Sequence, residues 1–304
     1  MKVLIVGSNN RHAEFAPFIV EQVEAVRGLG CEFEYFGVRG GGIKGYLRSL
    51  RVLKKKISEY HPDIIHAHYG LCGLLANLQR KVPVVTTYHG SDINERKVLP
   101  FSKLSMLLSK WNIFVSQKTM AIAKPRCRFS LIPCGIELPK EQGELTCIDT
   151  IKEKWTLGKK HILFAGAFDN KVKNYPLAKE AVDLLPEAEL IELKGYTREQ
   201  VWALMYSCDA FLMTSFTEGS PQVIKETMAC GCPIVSVDVG DVAERLKGLE
   251  GCYVAKTREP EDLAELLKQA MTYGRTMGRE RILADGLANE LVAERIVEIY
   301  NSIV

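Results

Sequence analysis

The chain has 304 residues, 47% of them hydrophobic and 25% charged, so it is too apolar for intrinsic disorder and long enough for two domains. Lysine and arginine (40) barely exceed aspartate and glutamate (37), and a net charge of +3 implies no polyelectrolyte partner such as nucleic acid. No apolar run approaches the roughly 20 residues of a membrane-spanning helix. Nine cysteines without a CxxC pair favour free thiols in a reducing cytosol, so we expect a cytoplasmic protein.

Short apolar runs alternate with helix patterns along the first half of the chain. The runs lack period-two alternation, which predicts strands of a parallel sheet covered on both faces by helices. The predicted strands are Lys2–Val6, Glu32–Gly37, Asp63–Ala67, Pro83–Tyr88, Ile113–Ser116 and Ser130–Ile132. The predicted helices are Glu14–Arg27, Ile43–Ser58 and Leu71–Gln79.

A segment of low periodicity, residues 139–160, interrupts this pattern and is interpreted as a linker. A second series of strands and helices follows it. Its predicted strands are His161–Ala165, Glu189–Leu193, Ala210–Ser215, Pro233–Val237 and Cys252–Ala255. Its predicted helices are Pro176–Leu185, Thr197–Tyr206, Pro221–Cys230 and Glu259–Met271. The sequence therefore predicts two doubly wound α/β domains, residues 1–138 and 161–287.

The last helix pattern, Ala288–Ser302, carries an apolar stripe that needs a partner. Because the second domain already has its own set of strands and helices, we expect this helix to pack back on the first domain. Doubly wound sheets bind ligands at the carboxyl ends of their strands. Two such domains face to face would enclose a central cleft, where we expect a pair of substrates.

The most informative segment runs from Thr217 to Pro233, after the predicted strand Ala210–Ser215. Ser220 is a favourable N-cap residue and Pro221 suits the first helical position, so the backbone amides at this helix start predict an anion site. Glu218 precedes the helix. Glu226 lies inside it, where a carboxylate accepts hydrogen bonds from a diol such as ribose. Taken singly, each glutamate could equally be a solvated surface acid. The spacing between the two glutamates, together with the helix cap, favours a nucleotide diphosphate site.

The run E-G-S-P-Q-V-I-K-E resembles the E-x7-E signature of retaining GT-B glycosyltransferases of family 4. Other segments resemble further motifs of this family in the same order along the chain: Pro62–Gly70, Pro83–Asp92, Ile132–Glu137 and Tyr206–Ser215. The resemblance implies a GT-B fold, with two Rossmann-like domains facing a central cleft. It also implies that a hexose-type sugar moves, with retention, from a nucleotide diphosphate sugar to a glycan or lipid-linked acceptor in cell-surface polysaccharide or glycoconjugate synthesis.

The resemblance further implies roles for individual residues. His89 would orient the donor sugar near its phosphate, Glu218 would contact sugar hydroxyls, and Glu226 would hold the ribose. The leaving diphosphate would be neutralised beside Gly166 by Lys173 and by the helix start. Its binding residues there would be Gly219, Ser220 and Pro221.

Two points about the diphosphate site stay open in the sequence. Lys171 is an alternative to Lys173. The family places an arginine just after Gly166, where this chain has Ala167 or Phe168. The loss of one charge-assisted bond to phosphate corresponds to roughly 1.5–3 kcal/mol. The departure permits a catalytically weak sugar-nucleotide-binding paralogue, and a nucleotide-sugar epimerase of the same architecture is the other alternative.

No metal cofactor is expected, because no carboxylate or cysteine completes a ligand set at the right spacing around His61, His66, His68 and His89. His66 and His68 should share one strand face. Asp92 is expected to cap the turn after His89.

The segment Arg39–Lys56 carries seven basic residues and no acid. It predicts an amphipathic helix docked on the sheet. Its basic face could also rest weakly on anionic lipid at the inner face of the membrane.

Overall fold

A computed structural model of the chain describes residues 1–8, 15–40, 42–153 and 155–304, without the side chains of residues 42–47. Asn9 and Asn10, which follow the first strand, therefore lie outside the described residues. The chain divides into two compact units. The first comprises Met1–Gly135 and Asn289–Val304, and the second comprises Ile136–Ala288.

Eleven strands form within the described residues. They are β1 (Lys2–Ser8), β2 (Glu32–Val38), β3 (Ile64–His68), β4 (Val84–Tyr88), β5 (Trp111–Phe114), β6 (Phe129–Leu131), β7 (Lys160–Phe164), β8 (Ala188–Ile191), β9 (Ala210–Met213), β10 (Ile234–Val237) and β11 (Cys252–Ala255). All pair in parallel, in the order β2-β1-β3-β4-β5-β6 in the first unit and β11-β10-β9-β7-β8 in the second. The predicted fold class, two parallel-sheet α/β domains, is confirmed.

Fourteen α-helices connect the described strands. They are α1 (Pro17–Arg27), α2 (Gly42–Tyr60), α3 (Gly70–Asn77), α4 (Ser91–Asn94), α5 (Leu99–Leu108), α6 (Gln117–Ala123), α7 (Ile148–Lys152), α8 (Tyr175–Asp183), α9 (Arg198–Ser207), α10 (Gln222–Ala229), α11 (Val242–Leu246), α12 (Pro260–Tyr273), α13 (Gly278–Ala284) and α14 (Asn289–Asn301). Short 3-10 turns occupy Gln142–Glu144 and Lys171–Lys173. None of the described helices combines the length and apolar content needed to cross a membrane.

In each sheet, the strand order shows the point at which successive strands begin to be added on the opposite side. In the second unit, β7 lies between β8 and β9, so the chain leaves β7 and β9 towards opposite sides. In the first unit the same reversal lies between β1 and β3. Ligands of doubly wound sheets bind outside the carboxyl ends of the strands at such switch points. The loops after β7 and β9 lie at the switch point of the second unit, and the end of β3, next to β4, lies at that of the first, so a ligand site is expected there.

The C-terminal helix α14 packs within the first unit. Val292, Ile296 and Tyr300 are buried in one apolar cluster with Ile19 and Val23 of α1. Burial of these side chains accounts for the apolar stripe of the sequence, because each removes apolar surface from water.

Residues 139–160 are not a free linker, which corrects the sequence interpretation. Leu145 and Ile151 are buried in the core of the second unit, and Arg279 donates a hydrogen bond to the Pro139 carbonyl (3.0 Å). The segment folds as one 3-10 turn, which buries none of its own residues, and the short α7, which buries only Ile151. Such short elements leave little periodicity in the sequence.

The basic segment Arg39–Lys56 lies largely in α2, and its charges are partly compensated by acids outside the segment. Lys55 is 3.7 Å from Glu59, and Lys56 pairs with Glu34 of β2. Gly41 and the Lys44 side chain lie outside the described residues. The apolar stripe of α2 packs on the sheet through Leu53 and Ile57, as the docked-helix interpretation predicts.

Candidate functional site

Two loops meet at the switch point of the second unit. Lys173, in the 3-10 turn after β7, lies with its Nζ 2.8 Å from Oε1 of Glu218, in the loop after β9. Both side chains are only 18% exposed, so water screens this ion pair less than a pair on an open surface. Lys171, the alternative candidate, is exposed. The structure therefore brings Lys173, and not Lys171, to Glu218.

Backbone contacts hold Lys173 in this position. The Thr214 hydroxyl, just after β9, lies within hydrogen-bond distance of the carbonyls of Lys173 (2.8 Å) and Asn174 (2.9 Å). The aliphatic stem of Lys173 lies on Gly166, where an added Cβ would be 3.1–3.5 Å from the stem carbons. Gly166 thus leaves room for the lysine.

The helix after Glu218 begins one residue later than expected. Pro221, and not Ser220, is the N-cap residue of α10, and it provides no side-chain hydrogen bond to the first turn. The Ser220 hydroxyl instead donates to Oδ2 of Asp241 (2.7 Å), which is 2% exposed. The Ser220 cap prediction is therefore wrong, because a buried carboxylate takes the hydroxyl. The helix start still directs backbone amides and the positive end of its dipole outwards.

Gly240 fixes the loop that carries Glu218. Its φ is +57°, and an added Cβ would lie 2.5 Å from the carbonyl oxygen of Gly219. Only glycine adopts this conformation readily while allowing such a close approach. The loop after β10 therefore packs, through Gly240, directly against the backbone of Glu218 and Gly219.

Glu226 lies on α10 and is mostly buried, with its Oε1 3.1 Å from Nη2 of Arg198 at the start of α9. The guanidinium of Arg198 lies over the Trp202 ring at 5.4 Å. A carboxylate offers about four acceptor positions, so this pair orients Glu226 without exhausting its capacity for hydroxyl donors.

Of the two residues at which the family's arginine would fall, Ala167 and Phe168, the second is a packed aromatic residue. The Phe168 ring stacks on Tyr175 with centroids 4.1 Å apart, and its backbone N–H donates to Glu192 (2.8 Å). The side chain at this position contributes packing to the second unit and no positive charge.

In the first unit, histidines form a row at the carboxyl ends of β3 and β4. The rings of His66 and His68 stack with centroids 4.6 Å apart, which confirms that they share a face. His68 Nδ1 is 3.0 Å from His89 Nε2, and the Cys134 thiol is 3.7 Å from His89 Nδ1. Both ring nitrogens of His89 therefore have neighbours in the first unit, and a bond from His89 to a substrate must replace one of them.

Burial keeps the first two histidines neutral. It lowers the pKa of His66 to about 3 and that of His68 well below its usual value. His66 is held by the Tyr300 hydroxyl (2.5 Å) and the Thr87 hydroxyl (2.8 Å).

Asp92 organises the backbone around His89, in line with the expected capping role. Its carboxylate accepts N–H bonds from Gly70 (2.9 Å), His89 (3.0 Å) and Gly90 (3.0 Å). Burial raises the pKa of Asp92 to about 6, although these three donors oppose the shift.

The second unit thus brings together six of the predicted site residues. Glu226 also belongs to this unit and lies farther along α10, whereas His89 belongs to the first unit. The six are Gly166, Lys173, Glu218, Gly219, Ser220 and Pro221. Sequence reasoning missed Asp241, Arg198 and Thr214. Thr214 lies near the end of the predicted strand Ala210–Ser215, and Asp241 follows the predicted strand Pro233–Val237, so their place at strand ends was the available signal. Across the described residues, no group of three or more His, Cys, Asp or Glu side chains is placed to hold a metal ion.

Comparison with known proteins gives two family matches. Residues 15–140 match the family model described as Glycosyltransferase Family 4, and residues 145–272 match the model described as Glycosyl transferases group 1. Among curated proteins, TuaC of Bacillus subtilis, named for teichuronic acid biosynthesis as a glycosyltransferase, is 25% identical over 249 residues. That match covers 72% of this chain and 63% of TuaC, so the chain spans less than two thirds of this relative.

Solved structures resemble almost the whole chain. Sucrose-phosphate synthase from Thermosynechococcus elongatus has a TM-score of 0.81 at 16% identity, covering 99% of this chain and 98% of that one. Anabaena HepE in complex with UDP has a TM-score of 0.79 at 14% identity, covering 99% and 100%. At such low identity the likeness concerns the fold, and it agrees with the two-domain architecture predicted from the sequence.

Proposed function

Because the chain belongs to the glycosyltransferases of the family 4 type, we propose that it transfers a hexose-type sugar from a nucleotide diphosphate sugar to a glycan or lipid-linked acceptor. We further propose that the anomeric configuration is retained. The single observation that carries the proposal is the Lys173–Glu218 pair at 2.8 Å, beside the start of α10 at the switch point of the second sheet.

The donor would bind with its diphosphate at Lys173 and the backbone amides of Gly219 and Ser220. A lysine ammonium and a helix N-terminus both favour phosphate oxygens. Glu226, on the same helix, would accept hydrogen bonds from the ribose hydroxyls, and Arg198 would keep its carboxylate in place. Glu218 would contact sugar hydroxyls while it holds Lys173 against Gly166.

In the reaction, the bond between the anomeric carbon and the diphosphate oxygen breaks, and its electron pair stays on the diphosphate. The acceptor oxygen bonds to the anomeric carbon from the same face, and its proton passes to the leaving phosphate. Negative charge therefore grows on the diphosphate, and fixed positive groups such as Lys173 stabilise it in the transition state. His89 would orient the sugar next to its phosphate.

The names of similar proteins suggest where to begin the search for substrates. UDP is the ligand named for HepE, and TuaC is named as a glycosyltransferase of teichuronic acid biosynthesis. Uridine diphosphate sugars are therefore the first donors to test, and glycan acceptors the first acceptors.

The decisive experiment is a thermal-shift screen of UDP, GDP and ADP sugars, followed by transfer assays and NMR of the product with the donors that bind. A ligand that binds only the folded state raises its melting temperature. We expect one donor to stabilise the protein and to yield a product with the anomeric configuration of that donor. Binding without turnover on any glycan acceptor would point to the binding paralogue, and an epimerised nucleotide sugar would point to the epimerase. An inverted product would contradict the retaining mechanism.

A further inference from the structure

Helix α5 (Leu99–Leu108) exposes several large apolar side chains and buries two serines. Its large apolar side chains Phe101, Leu104 and Leu107 are 50%, 47% and 64% exposed. Two of its three buried residues, Ser102 and Ser105, are serines; the third is Met106. An ordinary amphipathic helix places its apolar residues inside, so this arrangement needs a physical reason.

The inner face is explained by close packing on α3. A Cβ added at Gly70 would overlap the Ser102 hydroxyl, and one added at Gly73 would overlap Ser105 and Thr86. The two helices approach so closely that only glycine and serine fit between them. The Ser102 hydroxyl is satisfied by the Asp92 carbonyl at 2.7 Å. Folding therefore accounts for the serines, while the three apolar side chains leave about half or more of their surface outside the core.

Positive charge adjoins this apolar face. Leu107 lines the edge of a cavity of about 710 Å³ together with Arg80, Lys81, Lys110 and Arg128. The lining contains no aspartate or glutamate. All four cations are exposed, as is Lys103 on α5 itself.

We propose that this face, which we name the α5 surface (Phe101, Leu104 and Leu107 with Arg80, Lys81, Lys110 and Arg128), binds the surface of an anionic lipid bilayer. The three apolar side chains would enter the boundary between headgroups and acyl chains, and the four cations would contact lipid phosphates. Helices that lie in a membrane interface combine these two features. Each cation near an anionic leaflet strengthens binding by about five-fold.

The charge pattern also selects the bilayer over a second copy of the chain. A two-fold dimer through the α5 surface would bring about eight cations into one interface, and the residues of that surface include no acid to compensate them. Like charges across an interface oppose association. A leaflet of anionic lipids supplies both the missing negative charge and an apolar layer beneath it.

The α5 surface differs from the basic helix α2, which the sequence suggested for lipid contact. The apolar side chains Leu53 and Ile57 of α2 are buried against the sheet, and Lys55 and Lys56 have acidic partners. The described part of α2 therefore offers charge without a comparable apolar face.

The test is co-sedimentation of the full chain with vesicles of phosphatidylcholine alone or mixed with phosphatidylglycerol. The variant Phe101→Ser/Leu104→Ser/Leu107→Ser should lose binding to the anionic vesicles while its melting temperature falls by only a few degrees, since about half or more of each side chain lies outside the core. The variant Lys110→Gln/Arg128→Gln should bind roughly 25-fold more weakly at low salt. A matched control is Leu184→Ser/Leu283→Ser, two exposed leucines of the second unit (49% and 45%), which should bind as the original chain does.

Insertion is measured separately with Leu104→Trp, whose fluorescence should shift to shorter wavelength on anionic vesicles and be quenched by brominated lipid. Several results would overturn the proposal. These are equal sedimentation with neutral and anionic vesicles, undiminished binding by the triple serine variant, and loss of binding only in Arg51→Gln/Lys54→Gln of α2. Concentration-dependent dimers that the triple variant abolishes would likewise reject it and assign the α5 surface to self-association.

Discussion

Lys173 and Glu218 are 45 residues apart in sequence, yet their charged atoms meet at 2.8 Å between the loops that follow β7 and β9. The contact joins the two sides of the switch point of the second sheet. Because the lysine stem is confined by Gly166 and its carbonyl by Thr214, the ammonium has one well-defined position. A fixed cation at this edge of the sheet is suited to stabilise a leaving phosphate.

The first prediction concerns this lysine. Lys173→Met should lower kcat/KM for sugar transfer by roughly ten- to a hundred-fold, since a hydrogen bond to a charged group contributes about 1.5–3 kcal/mol. Lys171→Met, two residues away and exposed, is the matched control and should retain nearly full activity. Steady-state kinetics with the donor found by the screen make the comparison. Equal losses in both variants would show that the site is not specific to Lys173.

The second prediction separates the ribose contact from phosphate binding. Glu226→Ala should weaken nucleotide binding by about 1.5–3 kcal/mol in calorimetry with the free nucleotide diphosphate. Arg198→Ala should weaken it less, because Arg198 acts only through the orientation of Glu226. Glu265→Ala, an exposed glutamate of α12, serves as the control. The ribose assignment fails if Glu226→Ala leaves the affinity unchanged.

The third prediction uses two glycines with similar backbone conformation. Gly240 (φ +57°) and Gly248 (φ +73°) both lie in the left-handed region, but only a Cβ at Gly240 meets another residue, the carbonyl of Gly219. Both alanine variants should lower the melting temperature through backbone strain. Only Gly240→Ala should also raise KM for the donor, because it displaces the Glu218 loop. An equal rise of KM in both variants would argue against support of this loop by Gly240.

Much of this site could be predicted from the sequence because strand ends and helix starts leave strong local signals. Each of the eleven strands lies within a few residues of an apolar run bounded by polar residues or turns. Glu218 and Gly166 follow two of these runs, so parallel topology alone places them at one edge of a sheet.

The failures arose where tertiary contacts override local preference. Ser220 is a good cap in isolation, but the buried carboxylate of Asp241 is a stronger acceptor for its hydroxyl. Helix α5 was not predicted, because two of its three buried residues are serines that fit against the glycines of α3, which weakens the apolar periodicity of the sequence. The Arg198–Glu226 contact joins α9 and α10, and the local sequence pattern of either helix does not predict such a contact.

The fourth prediction is that transfer does not depend on a divalent metal. The proposed phosphate site consists of Lys173 and backbone amides, which supply positive charge themselves. Activity should therefore persist in the presence of EDTA and rise little on addition of Mg²⁺ or Mn²⁺. Loss of transfer in EDTA with recovery on addition of either ion would contradict this site.

The last prediction concerns pH and the first unit. His66 has a pKa of about 3 in the folded protein and His68 one well below normal, whereas an unfolded chain titrates histidine near 6.5. Below about pH 6.5 the unfolded state therefore binds more protons at these two positions, and stability falls as the pH falls. Asp92 acts in the opposite direction, because its pKa is raised to about 6 and the folded state takes up its proton first.

Between roughly pH 6 and 4 the unfolded state binds about two more protons at the two histidines, and the folded state binds about one more at Asp92. The unfolded state therefore binds about one proton more in total, so acid should destabilise the first unit. Amide hydrogen exchange of β3 and β4, measured over this pH range and corrected for its intrinsic rate, reports the effect for this unit alone. Asp92→Asn should steepen the decline towards about two protons, because it removes the opposing titratable group. Its amide oxygen can still accept from the His89 and Gly90 amides, which share Oδ1, whereas the Gly70 amide loses its acceptor and the overall stability falls. NMR of the rings should show no titration of His66 or His68 near pH 6.5, because burial lowers both pKa values. Titration of the His66 ring near pH 6.5, or an unchanged slope in Asp92→Asn, would contradict the assignment of acid sensitivity to these buried groups.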